Sequence, residues 1–244
     1  MRKLITDGFV IFISIFASFS VENYREASLE KGVLNDAVIT LGEEMVSNIE
    51  YTKEHLFQVR NMEYLIDEVI KNYETITLEK AYEIHNNNPF IHTFNIEGEI
   101  EYFKKYDDNF SILSYWNAWE PEKVFFESML YSGKLLEIKN KKIRKEIESI
   151  YTKQQERVSG MTDITKTNSN KIGNWFELTR DKYSFDTTNK SIFQNDKDQK
   201  LKNMLITRRG ILKSRIVDTE NYLQGLQNIV LLISSPSFFL LGFW

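Results

Sequence analysis

Residues 4–21 read LITDGFVIFISIFASFSV, behind Met1-Arg2-Lys3 and ahead of Glu22-Asn23-Tyr24-Arg25-Glu26. One charge, Asp7, interrupts these 18 residues. At 1.5 Å per residue the stretch makes about 27 Å of helix, close to the ~30 Å hydrocarbon core of a bilayer. Residues 1–21 are therefore expected to form a transmembrane signal anchor, with Asp7 one turn inside its start at headgroup level. Two readings compete. Ser18-Phe19-Ser20 has the small-x-small pattern of a cleavage site behind the basic Arg2 and Lys3, and a buried soluble helix is the third choice. A helical pattern that runs on past Val21 favours the uncleaved anchor. Arg2 and Lys3 before the stretch nearly balance Arg25 and Lys31 after it. The expected topology is a single pass with the N-terminus inside and the bulk of the chain outside the cytoplasm.

Working outward, no proline occurs from Val21 to Tyr73, and Leu34, Val38, Leu41, Met45, Ile49, Thr52, Leu56, Val59, Ile66 and Ile70 recur at helical spacing. Continuous with the anchor, this predicts one helix of about 70 residues, roughly 100 Å long. Glu43, Glu44, Glu50, Lys53 and Glu54 read as its solvated face. Residues 74–120 form an irregular insert. Thr77 caps a short helix there, His85 to Pro89 is a break, and Phe90–Tyr106 is a hairpin or a helix. Pro121 is placed to open a helix that Ser132-Gly133 ends after Tyr131. A second long pattern covers 143–182, residues 183–197 read as a loop, and a last helix spans about Asp198 to Ile233. The expected fold is all-α: an anchor continuous with a long helix, then an up-down bundle over 22–233. Residues 234–244 form a hydrophobic tail, in which Phe238, Phe239, Phe243 and Trp244 suit a membrane interface.

Composition narrows function. Net charge is −4, so the basic footprint of a nucleic-acid binder is missing. No cysteine is present, which excludes disulfides, zinc ribbons and thiol nucleophiles. Glycine and proline together number 13 (10 and 3), which disfavours a turn-rich all-β fold. The glycines form no phosphate loop, no serine lies in a G-x-S-x-G elbow, and His55, His85 and His92 lack the spacing of a helical zinc site. His85 and His92 flank Asn86-Asn87-Asn88-Pro89 and meet, at most, across a loop. Neither an enzymatic activity nor a cofactor is expected.

Three segments carry a family resemblance. The N-terminal anchor with Asp7 at its head and Glu22-Asn23-Tyr24-Arg25-Glu26 at its exit is the first. Ser132-Gly133-Lys134-Leu135-Leu136-Glu137-Ile138-Lys139-Asn140, with Ile143-Arg144, is the second, and Asn203-Met204-Leu205 to Arg208-Arg209 and Leu212 the third. Together they resemble an uncharacterised bacterial family of single-pass membrane proteins with a helical extramembrane domain. Tyr24 stands where that pattern has a tryptophan, and the Phe-rich tail departs from it. The resemblance implies a topology and no activity.

The motif residues also have structural readings: Gly133 as a helix stop, Asn140 as a cap, Arg144 paired with Glu148, and Arg208 and Arg209 reaching carboxylates of a neighbouring helix. The expected role is a non-enzymatic envelope scaffold or accessory subunit of a membrane complex. Its partners are then membrane lipid and other membrane proteins or further copies of the chain, with no nucleic acid. One alternative is an extracytoplasmic ligand sensor, with Tyr115, Trp116, Trp119 and Trp175 lining a pocket. Another is a single-pass subunit of an ion-driven envelope motor, with Asp7 as the ion-coupling group rather than a helix cap.

Overall fold

The computed structural model describes residues 2–87, 93–96, 99–102, 111–183 and 187–234, excepting the side chains of 2–17, 27, 31 and 93–102. Helix α1 (Arg2–Lys71) is one unbroken helix of 70 residues, about 105 Å long. Among its described side chains, burial begins at Leu34. Leu34, Val38, Leu41, Met45 and Ile49 are buried, whereas Phe19, Val21, Leu29 and Val33 are exposed and Tyr24 is 79% exposed. Among the described residues no helix is long and apolar enough to cross a membrane. Most of the apolar stretch at 4–21 lies where the side chains of α1 are outside the described residues.

After a turn at 72–75, Thr77 caps α2 (Leu78–Asn87) by accepting from Lys80 N. The insert then holds an antiparallel pair, β1 (Thr93–Ile96) with β2 (Glu99–Tyr102), so the hairpin reading of this region is the right one. After a turn at 111–114, residues 115–123 form a strap without regular secondary structure that runs back along α1. Helix α3 (Val124–Tyr131) follows, three residues later than Pro121 suggests. Gly133, at φ +80°, reverses the chain into α4 (Lys134–Glu137). Asn140 then caps α5 (Lys141–Ser149) through Lys142 N and Ile143 N. A π-helical turn, Ile150–Gln154, joins α5 to α6 (Gln155–Arg180) without a break in the rod. Residues 183–197 are not all loop. Thr188 caps α7 (Asn189–Asp196), whose Ile192 and Phe193 are fully buried beneath an otherwise polar surface. Asp198 caps α8 (Gln199–Ile233) through Leu201 N.

Two apolar cores show how these elements run. The first joins Leu34–Ile49 of α1 with Phe126, Ile143–Val158 and the Tyr222–Ile233 end of α8. The second joins Val59–Tyr73 with Ile172–Phe176 and the Leu201–Leu212 start of α8. Helices α1 and α5–α6 are therefore parallel, with α8 antiparallel to both. The up-down-up-down order holds, but its second arm is the strap and α3 rather than a long helix. Ile233 brings the end of α8 back beside Gly42 of α1.

Between the cores every long helix turns polar at the same level. Thr52 and His55 on α1, Thr162, Thr165, Asn168 and Ser169 on α6, and Arg208, Arg215 and Thr219 on α8 are all buried. Buried polar groups at one height in a bundle have to satisfy one another. This layer is the candidate site.

Candidate functional site

A strap without a sheet partner still carries backbone donors and acceptors that need bonding. A ridge on α1 supplies them. Glu44, Asn48, Tyr51, His55 and Gln58 follow at alternating steps of four and three, which places them on one face. Asn48 grips Glu122 from both sides: its Nδ2 donates to the carbonyl at 2.7 Å, and Glu122 N donates to its Oδ1 at 2.8 Å. Glu120 N donates to the Tyr51 hydroxyl at 2.9 Å. Glu44, 3% exposed, receives Phe125 N at 2.6 Å and Phe126 N at 3.3 Å, and so caps α3 from another helix. Glu44 is thus a correction to the solvated face expected of α1. The grip on Glu122 also explains the late start of α3, because the bonds to Asn48 hold the backbone after Pro121 in the strap.

Above this ridge lie two arginines, seven residues apart on α8 and both 0% exposed. Arg208 donates from Nη1 to Ser169 Oγ at 2.5 Å and from Nη2 to the Tyr115 carbonyl. Arg215 Nη2 meets His55 Nε2 at 2.6 Å and the Asn117 carbonyl at 3.0 Å. The Nε of each has no partner. No carboxylate among the described residues pairs with either guanidinium, so two positive charges share the buried interior. Burial, with the neighbouring charge of Arg215, pulls Arg208 down to about 9, and burial pulls Arg215 down to about 10. Both stay protonated at neutral pH. Burial and then the Arg215 charge push His55 down to about 2, so its ring is neutral. Because a guanidinium only donates, His55 Nε2 accepts from Arg215, and the other ring nitrogen, Nδ1, lies 3.2 Å from the Asn117 side-chain amide. Trp119 lies 4.9 Å from the His55 ring, centroid to centroid, and closes the layer from below.

Four aromatics expected to share a pocket are dispersed. Trp119 is in the first core against Tyr51 and Tyr222. Trp175 is in the second core and donates to Asp198 Oδ1 at 3.2 Å. Trp116 lies under Lys166 Nζ, 5.0 Å from its ring centroid. Tyr115 contributes its carbonyl to Arg208.

Among the motif residues, Gly133 and Asn140 act as the expected stop and cap, and Ser132 Oγ donates to the Met129 carbonyl at 3.4 Å. Lys134 opens α4, half-buried. Arg144 donates to the Leu136 carbonyl at 3.0 Å instead of pairing with Glu148, so it ties α5 back to α4. Arg209 reaches Asp67 on α1 at 3.0 Å as expected, whereas Arg208 turns inward to neutral acceptors.

His85 is buried beside Asn86 Oδ1. No group of three or more metal-ligating side chains occurs among the described residues. His92, Phe238, Phe239, Phe243, Trp244 and the Asp7 side chain lie outside the described residues. The sequence offers His55 only as a histidine without zinc-site spacing, and nothing local marks Arg215, Asn117 or Ser169 as its neighbours. A signal was present on α8: Arg208, Arg215 and Thr219 sit in register with Leu201, Leu205, Leu212 and Tyr222, where an apolar stripe belongs. Compared with known proteins, the chain matches no family model, no curated protein and no solved structure.

Proposed function

We propose that the protein is a non-enzymatic, membrane-anchored component of the bacterial envelope, a scaffold or accessory subunit that holds its bundle on the periplasmic side of the inner membrane. One observation carries the reading. Helix α1 runs unbroken from the apolar stretch at 4–21 into the bundle, and its described side chains before Leu34 are exposed. With the apolar stretch in lipid, the 13 residues from Val21 to Leu34 hold the first core about 20 Å above the membrane surface on a stiff stalk. A flexible linker would let the bundle wander. A continuous helix fixes its height and its azimuth, which is what a spacer within an assembly needs.

The chain has no cysteine, so single substitutions report cleanly. Ser14→Cys, Ser28→Cys and Ser214→Cys are introduced one at a time in the full chain and expressed in bacterial cells. Expected are pelleting with membranes after carbonate extraction and labelling of Ser28→Cys and Ser214→Cys by an impermeant maleimide on spheroplasts. Ser14→Cys should label only after detergent. A chain that stays in the supernatant, or a Ser14→Cys that labels like Ser28→Cys, refutes the anchor.

A further inference from the structure

Buried charge is paired with opposite charge, coordinated, or neutralised by a shifted pKa. The interior arginines follow none of these courses. They keep their protons at neutral pH, face each other's charge, and leave both Nε groups without an acceptor among the described residues. Two of the acceptors they do have, the Tyr115 and Asn117 carbonyls, belong to the strap and are neutral.

We infer that the polar layer is a binding site for a small dianionic oxyanion, held between Arg208 and Arg215 with Ser169 Oγ and His55 at its sides. The charge count sets the class, since two guanidiniums without a counter-ion are neutralised by one dianion. Seven residues separate the arginines along α8, about 10 Å of rise, so a ligand touching both is polyatomic. Phosphate and a short dicarboxylate share this chemistry. Guanidinium forks suit both, because each offers oxygens for paired N–H bonds.

The Tyr115 and Asn117 carbonyls of the strap take the guanidinium bonds that ligand oxygens would take. Entry requires the strap to shift, and the strap is the part suited to it. It is fastened by the side chains of Asn48, Tyr51 and Gln58 and by Trp119 in the first core, not by a helix or a sheet ladder. Trp116 and Trp119 ride on the strap, so its displacement has an optical readout. The assignment is independent of how the chain is anchored.

The test uses the full chain in neutral detergent, titrated with inorganic phosphate and, separately, with succinate, against sodium chloride at equal ionic strength. At about a hundred times its Kd, a site-bound anion raises the Tm by roughly 5–10 °C above the chloride control. Calorimetry should give one anion per chain, and tryptophan emission should move with the same midpoint. Arg208→Gln and Arg215→Gln should each abolish the response, whereas Arg209→Gln, a surface neighbour paired to Asp67, should retain it. A response to phosphate or to succinate supports the site and tells the two carriers apart. If neither probe exceeds chloride on the wild-type chain, or if the rise survives in Arg208→Gln, the assignment is wrong. The wild-type calorimetry and emission measurements decide the matter even where a variant fails to fold.

Discussion

Replacing Glu44 by alanine removes the cap that α1 provides for α3. Its two carboxylate oxygens receive Phe125 N at 2.6 Å and Phe126 N at 3.3 Å. Lys123, at the cap position itself, makes no capping side-chain bond. The shorter bond is charge-assisted and worth about 1.5–3 kcal/mol, and the longer one about 0.5–1 kcal/mol. Alanine leaves both donors unpaired, one of them buried, so the expected loss is about 2–4 kcal/mol. Glutamine keeps the shape and one acceptor oxygen, and should lose roughly half as much. Glu43→Ala is the control, since its exposed neighbour should change stability by no more than ~0.5 kcal/mol. Denaturant unfolding of the full chain in detergent, followed by circular dichroism, gives the three midpoints. If Glu44→Ala unfolds within 0.5 kcal/mol of Glu43→Ala, at about the error of such surface changes, α1 does not cap α3 and the stitching of the strap is misread.

Other outcomes follow from the same geometry. His55 holds no proton when folded, at about 2, but takes one up below ~6.5 when unfolded, so stability is complete above pH 6.5 and falls by about 1.4 kcal/mol per pH unit beneath it. His85, also pushed down by burial, acts in the same direction, and midpoints at pH 5, 6, 7 and 8 should be level only at the upper end. Asp198→Ala removes the cap of α8 and the acceptor of Trp175 Nε1 together, which should cost about 2 kcal/mol and shift tryptophan emission. Gly210→Ala, on an exposed helical face with open space around it, should gain about 0.5–1 kcal/mol. Gly133→Ala, at φ +80°, should lose about 1–2 kcal/mol in the same melts.

What could be read from the chain is what local rules govern. The steps of three and four from Leu34 to Ile70, the caps Thr77 and Asn140, the start of the last helix near Asp198 and the stop at Gly133 all depend on neighbours within a turn or two. The misreadings depend on distant partners. Glu43 and Glu44 are adjacent acids, and only the start of α3, some 80 residues on, decides which of them is buried. Pro121 is a sound helix opener in isolation, but Asn48 holds the next residue in the strap. Arg144 has a carboxylate one turn away and chooses a carbonyl left bare by the end of α4. Residues 189–196 look like a polar loop because only Ile192 and Phe193 face inward. For the site, Arg208 was noticed for its motif and not for its position in the stripe, where it and Arg215 replace apolar residues.

Two apolar cores strung on the same helices, with a polar layer between them, divide the molecule into two cooperative units that share their backbone. Amide exchange along α1 should be slowest beside Met45 and again beside Ile66, with a faster belt near His55. Mechanical or thermal stress would then part the bundle at that belt first, leaving the half next to the stalk intact while the far half frays.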